Sequence, residues 1–236
     1  VRREFRDNSP SNSTWFGICH GVAPASLNHP EPLSTTVVNP DGIRINFYSS
    51  DVKALLSYQY AKVKRARTKH LGKRCFAYSM NNLRRRQRAA CNDVNPGAFH
   101  ILFTNYIGLQ NKTFIVDIDP LNEVWNHVPK SFSFDVYEEY NSRENQTPGT
   151  AKVLWIGAVL SYSGAIAPYF EPVINSPQGF YVDDNYSYLL DLDKNGNIIG
   201  GKWLGDSRPD FIWTQQELVF DGYWSKLNDI YRPRFL

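Results

Sequence analysis

"GAFHILFTNYIGLQNKTFIVDID", residues 97–119, sets two apolar runs on either side of the polar "GLQNK". Its density of Phe, Ile, Val and Tyr favours strand, turn, strand. On that reading His100 opens the first strand, its imidazole projecting from a rigid support, and the second strand returns Asp117 and Asp119 beside it. Cross-strand neighbours hold their Cβ atoms about 5 Å apart, close enough for a carboxylate to fix an imidazole's tautomer. Asp117 and Asp119 share one face of a pleated strand, so the pleat alone leaves the choice between them open.

An oriented imidazole suits a thiol nucleophile, and "WFGICHGVAPAS", residues 15–26, places Cys19 near the start of a short helix. The thiolate is the reactive form, and a helix N-terminus favours it. Pro24 has no N–H to offer the His20 carbonyl, so this helix must kink there or begin after Cys19. His20 adjoins Cys19, but neighbouring side chains at a helix start diverge. His29 and His70 lie in turn-like or basic surroundings, and His127 lies near a strand end. Cys75 and Cys91 flank an Arg-rich segment, and a disulfide closing that loop would contribute roughly 3 kcal/mol on the chain-entropy model. Cys19 is then the remaining thiol.

The rest of the chain frames these groups. With 236 residues, 42% hydrophobic and 14% aromatic, it is long and apolar enough for one α+β domain over 1–236, helices first and antiparallel sheet after. Residues 1–14 read as a mobile N-terminal segment. "TTVVNPDGIRINFY", residues 35–48, reads as a hairpin, 51–63 as a helix, and 124–138, 151–160, 186–193 and 197–204 as strands. The uncharged run 153–170 contains Ser161, Ser163, Gly164 and Pro168 and reads as two buried strands around "SYSG", not as a membrane span. The net charge of +3 conceals a local excess: no acidic residue lies between Asp51 and Asp93, and 62–92 forms a basic excursion. A solvated excursion is the favoured reading of it, ahead of a processing loop or a polyanion-binding surface. Sequons at Asn12, Asn111, Asn145 and Asn185 fit an exported protein, and Val1 in place of an initiator Met suggests a processed chain.

Cys, His, Asp in that order is the arrangement of papain-like and transglutaminase cores. The blocks "WFGICHGVAPAS", "HPEP", "DVKALLS", "DVNPGAFHILFTNYIGLQNKTFIVDIDPLNEVWNHV" and "YSYLLDLDKNGNIIGGKWLGDSRPDFIW" together resemble the oomycete transglutaminase elicitor family, which also has bacterial members. The likeness runs through residues 13–213. It implies a secreted, extracellular or cell-wall protein-glutamine γ-glutamyltransferase with a papain-like core, joining protein glutamine and lysine side chains. Carried onto this chain, the nucleophile is Cys19, the base His100 and the acid Asp117, with Asp119 in reserve. The Cys19 backbone N–H and the Trp15 indole are candidate oxyanion donors. The resemblance also suggests a mature enzyme cut from a zymogen whose inhibitory pro-segment could remain bound.

No cofactor is required by this chemistry. The family likeness allows calcium dependence, but "DLDKNG" at 191–196 reaches Lys202 where a calcium loop needs a bidentate carboxylate, so a hairpin turning at Asn195-Gly196 is expected and no metal site is assigned. In several family members a segment around a Trp is a surface epitope for plant cells; here "EVWNHVPKSFSFDVYEEY" departs from it, and a buried strand end is the preferred reading. The alternatives are a papain-like cysteine protease and a non-enzymatic module binding polyanions or cell wall. Neither membrane nor nucleic acid is an expected partner.

Overall fold

The computed structural model describes residues 17–63, 66–73, 93–119, 124–164, 169–173 and 181–234. The N-terminal elements are α1 (Cys19–Asn28), β1 (Thr35–Val38), β2 (Arg44–Phe47), and α2 (Ser49–Tyr58) with a π turn at Gln59–Val63. Next come β3 (Thr68–Gly72), α3 (Pro96–Phe103) with a π turn at Thr104–Leu109, β4 (Ile115–Asp117) and β5 (Asn126–His127). The long strands are β6 (Pro129–Tyr140), β7 (Lys152–Ser163) and β8 (Tyr181–Leu192), followed by β9 (Ile198–Trp203) and β10 (Phe211–Gln215). A 3-10 turn at Gly222–Lys226 and α4 (Leu227–Ile230) complete the described chain. This is an α+β fold with antiparallel sheets. Its residues divide into two compact units. One takes the described residues of Val1–Arg65, Phe170–Pro172 and Leu218–Leu236, the other those of Ala66–Tyr169 and Val173–Glu217.

In the first unit α1 packs on α2 at a contact that only glycine permits. A Cβ on Gly21 would stand 2.2 Å from the Ser57 carbonyl oxygen and 2.6 Å from Ala61 Cβ. The hairpin β1–β2 pairs Thr35 with Phe47 and Val38 with Arg44, as its N-P-D-G turn predicts. Asn39 Oδ1 accepts from the Asp41 and Ile43 N–H groups at 3.0 and 2.8 Å and holds that turn. α2 begins two residues before the expected start, and the Asp51 carboxylate reaches back to the Tyr48 N–H at 2.9 Å. Val52, Leu56, Tyr60, Leu218, Phe220 and Ile230 supply its buried apolar side chains.

In the second unit one sheet runs β3-β10-β4-β5 and the other β6-β7-β8-β9. Along β7 and β8 alternate side chains turn inward, so Ile156, Ala158, Leu160, Tyr186, Tyr188 and Leu190 share a core with Phe99 and Phe103 of α3 and with Phe114 and Val116. The expected turn at "SYSG" does not start at Ser161. β7 continues to Ser163 and pairs Ser161, Tyr162 and Ser163 with Asp183, Val182 and Tyr181, because buried Tyr162 donates its hydroxyl proton to Asp184 Oδ2 at 3.1 Å. The hairpin at 191–198 forms as expected, with Asp193 Oδ1 accepting from the Asn195 and Asn197 N–H groups.

Two readings of the sequence are corrected here. "NPGAFHILF" is a helix, not a strand: Asn95 Oδ1 accepts from the Gly97 N–H at 2.9 Å, Pro96 takes the first helical position, and Phe99 and Phe103, one turn apart, meet edge to face in the core. Gly97 lets α3 settle on β9, since a Cβ there would meet the Gly200 carbonyl oxygen at 2.7 Å. The stretch after Trp125 is a buried strand end only as far as Pro129: Asn126 and Pro129 are buried, and from Lys130 the chain runs on as an exposed strand. Among the described residues β6 pairs on one side only, with β7, and its side chains are almost all exposed. Among the described residues, no helix is long and apolar enough to cross a membrane.

Candidate active site

Cys19 is the first residue of α1, half-buried and carrying a thiol. The Ile18 carbonyl receives the Gly21 and Val22 N–H groups at 2.7 and 2.9 Å, closing the first turn over it. Helix formation therefore begins at Cys19, with Pro24 accommodated inside α1. Trp15, Cys75, Cys91, Asn12 and most of the basic excursion lie outside the described residues.

His100 lies on the core side of α3. Its ring sits edge-on to Phe103, Phe134 and Tyr188, with centroids 4.9, 4.8 and 5.9 Å away, and Nδ1 is 2.7 Å from the Tyr188 hydroxyl. Burial drives its pKa down to about 4, so the ring is neutral at physiological pH. Its partner is a tyrosine, where the strand reading expected a carboxylate.

Asp117 faces the other way. Phe114 and Val116 enter the aromatic core, so the pleat of β4 turns Ile115 and Asp117 to the opposite face of the short sheet. Asp117 is fully buried. Its Oδ1 accepts from the Trp125 N–H at 2.7 Å and the Asp119 N–H at 3.4 Å, while Oδ2 has no hydrogen-bond partner. Burial raises the pKa to about 7; the two N–H bonds lower it in part, and the charges of Asp210 and Asp119 raise it further. His100 thus meets Tyr188, and Asp119 meets Asp117 through its backbone N–H.

Sequence reasoning missed the neighbours of Asp117 on this face. Asn126 stands directly across from it on β5. Asn126 Oδ1 accepts the Trp213 indole N–H at 2.8 Å, and the Trp213 ring lies parallel to His70, at 5.7 Å and 4°. The basic surroundings of His70 in sequence carry no sign of this, and the pairing of His70 with Trp213 across β3 and β10 brings it to this face. The motif signal was present in "EVWNHV" and "DFIW", which flank β5 and β10, but no spacing rule links them.

The remaining candidates are placed as follows. Asn111 and Asn145 sit at exposed positions with φ of 50° and 54°, and Asn185 is an exposed residue of β8. Asp191, read as the head of a possible calcium loop, is bound by Arg143 and Thr147. Among the described residues no three His, Cys, Asp or Glu side chains group as a metal site.

The α+β fold, with a thiol heading its first described helix and antiparallel sheets after it, is transglutaminase-like by its match to a solved structure. The chain matches the transglutaminase elicitor family over residues 2–153 and 173–218, and it belongs to that family. Among solved structures it is similar to the crystal structure of the GP42 transglutaminase from Phytophthora sojae, with a TM-score of 0.66 and 26% identity. That match covers 92% of this chain and 62% of the GP42 chain, so this chain spans less than two thirds of its neighbour's length. No curated protein matches it.

Proposed function

We propose that the protein is a secreted protein-glutamine γ-glutamyltransferase working through Cys19. The observation that carries this is the position of the thiol: Cys19 is the first residue of a helix, within the span matched to the transglutaminase elicitor family. The thiolate attacks the carboxamide carbon of a protein glutamine, the C–N bond breaks, and ammonia leaves with an added proton, giving a thioester. A lysine amine then attacks that carbonyl, loses a proton and expels the thiolate, leaving an isopeptide bond. Water in place of the amine gives glutamate. As written, the chemistry needs no cofactor.

The family resemblance assigns the proton transfers to His100, oriented by Asp117. The surroundings of these groups favour a second version, in which Asp117 carries the proton. A carboxyl with a pKa of about 7 is matched to transfer at neutral pH, whereas an imidazole held neutral down to about pH 4 is a weak base. Incorporation of a fluorescent primary amine into a glutamine-rich protein tests the main reading. Cys19→Ala should abolish it, by at least about a thousandfold. Peptide cleavage without amine incorporation would indicate a cysteine protease instead. Asp117→Asn and His100→Gln, assayed side by side, distinguish the two proton carriers.

A further inference from the structure

The first unit contains a cavity of about 300 Å³ beside α1, bounded by Val22 and Ser26 on that helix, by His29 just after it, and by Pro32, Lys53 and Leu56 opposite. Residues 19, 22 and 26 fall along one stripe of α1, so the cavity opens on the face that Cys19 heads. With a rise of 1.5 Å per residue, Val22 lies about 4.5 Å and Ser26 about 10.5 Å along the axis from Cys19. Side chains on a helix lean toward its N-terminus, which tilts this wall toward the thiol. The polar part of the lining is internally matched: Glu31 Oε1 accepts from Lys53 Nζ at 2.7 Å and from Ser49 Oγ at 3.3 Å. A cavity whose carboxylate already holds an ammonium has no net charge with which to draw a lysine side chain. Its apolar walls, Val22, Leu56 and Pro32, suit an uncharged one.

We infer that this cavity is a specificity subsite that receives one large apolar or aromatic side chain of the glutamine-bearing peptide. The inference rests on the thiol-transferase reading above. An extended peptide advances about 3.3 Å per residue, so a side chain two to four residues from the reactive glutamine spans the distance from Cys19 to the cavity. The volume, at the small end of ligand pockets, accommodates one such side chain and excludes a folded segment.

The test uses the full chain and peptides with one central glutamine in a Gly/Ser background, a single Phe being moved from four residues before the glutamine to four after. Fluorescent cadaverine serves as the amine. One Phe position, two to four residues away, should raise kcat/KM about tenfold, chiefly through KM. Ser26→Trp, which fills the cavity from an exposed position, should remove that preference while leaving turnover of the Phe-free peptide unchanged. Val22→Trp, at a residue 50% exposed, is the second filling variant should Ser26→Trp fail to fold. A preference that survives in the filled variants, equal rates at every Phe position, or a rise in the amine's KM on filling would each overturn the subsite. Wild-type incorporation into the Phe-free peptide separates the two claims. Its presence without a Phe preference removes only the subsite, and its absence removes the transferase reading and the subsite together.

Discussion

Asp191 and Asp117 are both carboxylates with no solvent exposure in the same compact unit, yet the fold treats them in opposite ways. Burial pushes the Asp191 carboxyl up, but the Arg143 guanidinium and the Thr147 hydroxyl and N–H more than offset it and hold it below its ordinary value. Arg143 grips both oxygens, Nε to Oδ1 at 2.7 Å and Nη2 to Oδ2 at 2.5 Å. Asp117 has two backbone N–H donors on one oxygen and none on the other. A buried charge that is fully met is a structural tie; one left half met is costly, and such groups concentrate where proton chemistry is done.

Breaking the satisfied carboxylate should give the largest effect. Arg143→Met strands Asp191 without its counter-charge and should destabilise the fold by about 3–5 kcal/mol in chemical denaturation. An unchanged midpoint would show that the pair is only decorative.

Asp117→Asn should go the other way in stability. The folded carboxyl keeps its proton up to about pH 7 and the unfolded one only to about 3.8, so the folded state binds more protons in between. Stability therefore falls as pH rises through that window, and the full penalty is present above pH 7. The Asn variant should be more stable than wild type at pH 8, on the order of 2–4 kcal/mol, and indistinguishable below pH 4. If Asp117 carries the proton, amine incorporation should collapse in the same variant. Loss of activity with a lower melting temperature at pH 8 would count against this view of the carboxylate.

His100 provides the mirror image. Its folded pKa of about 4 lies below the ordinary 6.5, so the unfolded state binds more protons between these values and stability falls as pH drops from 6.5 to 4. The slopes of His100 and Asp117 oppose each other in that window. The Asp117→Asn variant should therefore expose a stability that rises with pH, and His100→Gln one that falls, both read from melting temperatures between pH 4 and 7. The smallest effect belongs to Tyr188→Phe. It removes the hydroxyl opposite His100 Nδ1 and should cost about 1 kcal/mol.

The parts of this fold that sequence made legible are those set by local chemistry. The N-P-D-G hairpin, the helix after Ser49 and the alternation along β7 and β8 follow from turn residues and period. α3 escaped because eight consecutive, mostly apolar residues carry no helical or strand period, and their β propensity favours a strand. The candidate site was half legible. Cys19 at a helix start came from its neighbours, but Arg143 meets Asp191 across 48 residues and Trp213 meets Asn126 across 87, separations on which no local pattern bears. Which face of β4 carries Asp117 is a matter of register, and one residue of slip would have reversed it.

The exposed edge strand β6 has a consequence outside the site. Its twelve residues leave one row of backbone N–H and C=O groups without a strand partner among the described residues, beside exposed Phe134, Val136 and Tyr137. Such an edge is a template on which a second chain could add. Glu139 is paired with Lys152, but Asp135 and Glu138 place negative charge along it, so two copies approaching edge to edge meet repulsion before their backbones can pair. Negative charge at these two positions disfavours edge-to-edge growth of one copy on another.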